Sequence, residues 1–80
     1  MPTLGWILVQ KGNVEAGLRY LREARLRSPE SGEIHFHLAY ALTKNGRKAE
    51  AKDELGAALI GPARVHNSEA VSRLTKELEL

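Results

Sequence analysis

Apolar residues recur along the chain at intervals of three and four, the spacing that gathers them on one side of an α-helix. Leu4, Ile7 and Leu8, with Trp6 and Val9 on a neighbouring line, predict a short first helix over Met1 to Lys11, stopped by Gly12. Leu18, Leu21, Ala24 and Leu26 predict a second, with Asn13 placed to cap its start and Glu15–Arg19 and Glu23–Arg27 spaced as intrahelical charge pairs. Pro29 cannot extend that helix and biases Ser28 toward an extended conformation, so the chain turns there. Ser31 is the expected cap of a third helix that carries Ile34, Leu38, Ala41 and Leu42 inward, places Glu33 in the positive first turn and stops at Asn45-Gly46. A fourth runs from Lys48 to Leu59 with Ala51, Leu55, Ala58 and Leu59 on its buried stripe, and Gly61-Pro62 closes it. Beyond a linker reaching Asn67, Ser68 to Leu78 form a fifth helix with Ala70, Val71, Leu74 and Leu78 on one face and Glu69–Arg73 and Arg73–Glu77 as charge pairs.

The pattern is written twice. Leu4, Leu8, Gly12, Leu21 and Ala24 are each followed 34 residues later by Leu38, Leu42, Gly46, Leu55 and Ala58. Small residues recur where the two helices of one unit must cross closely: Gly5 and Ala39, Gly17 and Ala51, Ala24 and Ala58. One helical hairpin cannot bury its own apolar face, so successive hairpins stack and each covers the next.

This period, with Leu4-Gly5, Leu8, Gly12, Gly17, Leu21, Ala24 and Pro29 in one copy and Leu38-Ala39, Leu42, Gly46, Ala51, Leu55 and Ala58 in the other, resembles the tetratricopeptide repeat (TPR). The resemblance implies an all-α fold of antiparallel helix hairpins in a right-handed superhelical array. Residues 1–66 would be two hairpins, 1–31 a truncated first repeat and 32–65 a second, and residues 67–80 a C-terminal capping helix with Arg73, Lys76 and Glu77 toward water. Three departures stand out: the first copy starts partway through its first helix, Pro62 stands one place ahead of the position matching Pro29, and His35 replaces the family's usual large aromatic, leaving that packing position less filled. More narrowly, the wording TLGWILVQKGNVEAGLRYLREA, followed by EIHFHLAYALTKNGRKAEAKDEL, looks like the C-terminal repeats of bacterial TPR proteins associated with exopolysaccharide and exosortase (PEP-CTERM) systems. That likeness implies the tail of a longer solenoid.

In TPR arrays the first, or A, helix of each hairpin lines a concave groove where peptides lie; this is what the resemblance implies. On the second A helix Glu33, His37, Tyr40 and Lys44 share a face, with Phe36 beside Tyr40. Trp6 precedes Tyr40 by 34 residues, so the two aromatics hold one position of successive A helices, with Gln10 near them. The expected contact surface is therefore Trp6, Gln10, Phe36, His37, Tyr40 and Lys44, aromatics as anchors and polar groups setting orientation. The plainer reading is that Trp6 and Tyr40 only cover apolar surface between neighbouring A helices. The groove positions at which carboxylate-gripping TPR domains use Asn and Lys or Arg hold Trp6, Tyr40 and His37, which argues against a chaperone-tail clamp.

Composition narrows the alternatives. Eighty residues allow one domain, which buries roughly 60 to 65% of the surface its unfolded chain exposes. Twelve Lys and Arg against ten Asp and Glu give a net charge of +2, with the signs interspersed. Arg19, Arg22, Arg25, Arg27, Lys48 and Lys52 fall on the outward second helices and are interrupted by Glu15, Glu23, Glu50 and Glu54, which is not the unbroken stripe that RNA recognition needs. No cysteine is present, and apolar runs such as Trp6 to Val9 are far below the roughly 20 residues of a membrane span. His35 and His37 point to opposite sides of a helix and His66 lies in the linker, so no metal site is expected. Ser28, Ser31, Ser68 and Ser72 read as caps and surface positions, no nucleophile or acid–base set stands out, and neither an enzyme nor a cofactor is expected. The expected partner is a protein or peptide; the alternative is self-association through Leu4, Ile7 and Leu8, left open at the truncated edge.

Overall fold

The computed structural model describes residues 4–80. Met1, Pro2 and Thr3, where the first helix was expected to begin, lie outside the described residues. Five helices follow in order: α1 Leu4–Gln10, α2 Val14–Arg27, α3 Gly32–Lys44, α4 Lys48–Ala58 and α5 Glu69–Glu77, with no strand among the described residues. The first two pair as one hairpin, α3 and α4 as a second, and α2 lies against α3.

Each hairpin turns through the same device. Gly12 and Gly46 take positive φ, +92° and +77°, where a side chain would be strained. The next amide then reaches back to the preceding helix, Asn13 N–H to Leu8 O at 2.8 Å and Arg47 N–H to Leu42 O at 2.9 Å, so that otherwise orphaned carbonyls are satisfied. Ser31 caps α3 by accepting from Ile34 N–H at 3.4 Å, and Ser68 caps α5 by accepting from Val71 N–H at 3.3 Å. Asn13 differs from expectation: at ψ 68° its side chain makes no cap bond.

Where the helices of the first hairpin cross, backbone meets backbone. A Cβ on Gly17 would lie 2.5 Å from Val9 Cγ2 and 2.8 Å from the Gly5 carbonyl, so no larger residue fits without parting α1 from α2. In the second hairpin Ala39 and Ala51 serve the same purpose and are fully buried. Leu18, Leu21, Leu38, Leu42 and Leu55 fill the space between, with Val71, Leu74 and Leu78 of α5 closing the core.

Three apolar positions expected inside are outside. Leu26 is 81% exposed, because Arg25 takes the inward line one turn after Leu21 and pairs there with Glu54; Leu59 sits past the end of α4, and Ala70 lies on the open side of α5. The charge pairs also differ. Glu69–Arg73 closes at 2.6 Å as expected, but Arg22 reaches across to Glu50 at 3.1 Å and Arg25 to Glu54, tying α2 to α4. Glu15 accepts from Asn45 Nδ2 at 3.3 Å. His35 does not leave a gap: its Nε2 donates to the Pro29 carbonyl at 2.6 Å and its Nδ1 lies 2.7 Å from the buried Glu54 carboxylate. A polar tie from α3 to α4 and to the turn before α3 thus stands where an aromatic would have packed.

The linker from α4 to α5 crosses the start of α3. Gly32 N–H donates to Ala63 O and Val65 N–H to Ala58 O, each at 2.8 Å, and a Cβ on Gly32 would lie 2.3 Å from the Val65 backbone nitrogen. This close passage fixes where α5 begins and therefore how it lies beside α3.

Candidate functional site

Four rings gather between α1 and α3. The indole of Trp6 stacks on the His37 imidazole with centroids 4.1 Å apart and planes 6° from parallel. Tyr40 meets the indole edge-on at 5.1 Å, and Phe36 lies tilted at 6.4 Å. Such offset and edge-to-face pairs add about 0.5–1.5 kcal/mol each beyond the area they bury. Phe36 and His37 are buried, at 7% and 6% exposure, while Trp6 and Tyr40 are half-buried, so each of the latter keeps part of its ring toward solvent.

Above this floor the Lys44 ammonium sits 5.3 Å from the centre of the Tyr40 ring. Placement in the last turn of α3 also sets it against the negative helix end. His37 is held neutral: burial lowers its pKa below the ordinary 6.5, and the Glu33 carboxylate, 3.9 Å from Nε2, only partly opposes that. Its Nδ1 is buried and has no hydrogen-bond partner among the described residues.

A recess of about 460 Å³ opens on the rings, lined by Trp6, Phe36, Tyr40, Thr43 and Lys44 and closed on its far side by Ala70, Arg73, Leu74 and Glu77 of α5. Of the six residues expected to form a contact surface, four line this recess. His37 lies beneath it as the plate on which Trp6 stacks and borders a second hollow, of about 500 Å³, under the linker. Gln10 is exposed at the end of α1, outside the lining.

The far wall is what sequence reasoning missed, though a signal was there. Trp6, Tyr40 and Leu74 are spaced 34 residues apart, as are Phe36 and Ala70, so α5 stands in the register of a third A helix. At the positions where α3 carries Leu38 and Leu42 toward α4, α5 carries Ser72 and Lys76, both exposed, so that face of α5 is uncovered among the described residues. The same helix completes the recess on its other side.

Among the described residues no group of three or more His, Cys, Asp or Glu is placed to hold a metal ion, and no helix is long and apolar enough to cross a membrane.

Two stacked hairpins with close-crossing small residues, repeated turn geometry and a third A-type helix define a helical-repeat protein. The tetratricopeptide repeat family model matches residues 3–65, and the chain belongs to that family. No curated protein and no solved structure matches the chain significantly. TPR domains are non-catalytic scaffolds that generally mediate protein–protein interactions.

Proposed function

We propose that the recess between α1, α3 and α5 binds an extended peptide segment of a partner protein and that the chain has no catalytic role. The observation that carries this reading is the half-exposed Trp6–Tyr40 pair on a floor of buried Phe36 and His37: large rigid rings, already ordered and partly in contact with water, give area to a ligand at little entropic cost. Gln10, beyond the lining, serves at most the end of a longer segment.

The test is a peptide-library screen on the wild-type protein and on a Tyr40→Ser, Lys44→Glu variant, both first verified as folded by circular dichroism. Peptides bound by the wild type and lost by the variant support the groove; a folded wild type that binds no peptide overturns it.

A second reading rests on Leu4 and Ile7, exposed at 53% and 36% on the outer side of α1. As an end piece of a longer scaffold in bacterial exopolysaccharide or protein-sorting machinery, or in a homodimer, the chain would have that edge covered by another repeat. Light scattering across a dilution series separates the two: a monomer favours the groove, and a stable dimer that Leu4→Glu dissolves favours assembly.

A further inference from the structure

The chemistry of the recess points to a class of peptide, on the premise that the groove binds peptides at all. Its floor is apolar and its rim is cationic on two different helices. Lys44 comes from α3 and Arg73 from α5, and Glu77 is the single carboxylate in the lining, so the walls carry one net positive charge. Lys44 is without an ion pair among the described residues, and its ammonium lies over the face of the Tyr40 ring. Arg73 holds Glu69, but both side chains are more than three-quarters exposed, so that pair is worth little and exchanges readily. We propose that the groove selects a segment that lays an aromatic or large aliphatic side chain against the half-exposed rings of Trp6 and Tyr40 and directs a neighbouring carboxylate to Lys44 and Arg73.

Two features support selection rather than mere tolerance. The ammonium is poised over a ring, so an incoming carboxylate completes a stack of anion, cation and π-face without dismantling an existing salt bridge. The two cations reach the recess from opposite walls, α3 and α5, so a carboxylate between them also holds α5 against the rest of the array. Glu77, one turn beyond Arg73, disfavours a second acidic group at that end.

The carboxylate is that of an Asp or Glu side chain, since the groove positions that grip a chain terminus hold Trp6, His37 and Tyr40; a peptide C-terminus is the competing source. A matched set of fluorescent dodecapeptides separates these: a Trp-bearing core with Glu and an amidated C-terminus, the same core with Gln, the same core with Lys, and the Gln core with a free C-terminus. Titrations are run on the wild type, on Lys44→Glu and on Arg73→Glu; both positions are exposed, and folding is verified by circular dichroism.

The Glu peptide should bind about tenfold or more tightly than the amidated Gln peptide, and each charge reversal should remove that margin. A free C-terminus that binds in place of the Glu side chain would overturn the side-chain assignment. Equal binding of the Glu and Gln peptides, or preference for Lys, would overturn the acidic selection while leaving the groove in place. Failure of all four to bind a folded wild type would count against the groove itself.

Discussion

At the scale of single residues, the environment of His37 alters its titration, and the sign of the effect follows from burial. In the folded chain the ring's pKa lies below 6.5, whereas in the unfolded chain it returns to the ordinary value. Between those two values the unfolded state binds more protons, so stability is fully present above pH 6.5 and is lost as the pH falls through that value toward the folded pKa. His37→Phe keeps an aromatic plate under Trp6 and removes the titration. Denaturant melts at pH 7.5 and 5.5 should show the wild type losing stability across this interval by more than the variant does; equal losses would mean that His37 is not the group responsible. The core gives a contrasting case. Leu55→Ala or Leu38→Ala, at fully buried positions, should cost about 2–5 kcal/mol, and the half-buried Tyr40→Ser should cost less than either. Were Tyr40→Ser as damaging as Leu55→Ala, its ring would belong to the core rather than to a groove.

At the scale of helices, two glycines set distances that nothing larger can reproduce. Gly17→Val places a branched side chain where Val9 Cγ2 already stands 2.5 Å from a bare Cβ, and α1 must shift away from α2. Overpacking of this kind costs about 1–3 kcal/mol, and it should also lower the fluorescence anisotropy of Trp6, which rides on α1. Gly32→Ala meets backbone rather than side chain, at 2.3 Å from the Val65 nitrogen, so the linker must lift from the start of α3 and carry α5 with it. A chain whose α5 amides exchange no faster in Gly32→Ala than in the wild type would refute that coupling.

Most of this level was legible beforehand, because it is written in periodicity and punctuation: the helices, the Ser31 cap and the Gly12 and Gly46 turns depend on local chemistry alone. What escaped depended on neighbours. Arg25 looked like a surface charge until Glu54 and His35 came alongside, and Leu26 looked like core until Arg25 took its inward line. Arg73, Leu74 and Glu77 were read as parts of a cap, because α5 carries Ser72 and Lys76 where α3 carries Leu38 and Leu42, the very face by which a repeat is recognised.

At the scale of the whole molecule, the parts are not held equally. The hairpins share one core: Leu21, Leu38, Leu42 and Leu55 are entirely buried, and α2 is bound to α4 through Arg22–Glu50 and Arg25–Glu54. These elements should open together. By contrast α5 is fastened chiefly through Val71, Leu74 and Leu78, with one hollow of about 460 Å³ on its α1 and α3 side and another of about 500 Å³ under the linker. A short helix with few buried contacts and open space beside it belongs to the low-energy end of the opening spectrum. Native-state hydrogen exchange should therefore find the interior amides of α2, α3 and α4 sharing one opening free energy, close to that of global unfolding, and the α5 amides exchanging through a smaller opening. Because α5 is also a wall of the recess, anything bound there must slow exchange in α5 more than in α2. If the α5 amides prove as protected as those of α3 in the unliganded protein, the terminal helix is part of the cooperative core and its side of the groove is fixed before any ligand arrives. Protection in α5 that rises with ligand would instead show that this wall of the recess is completed by binding.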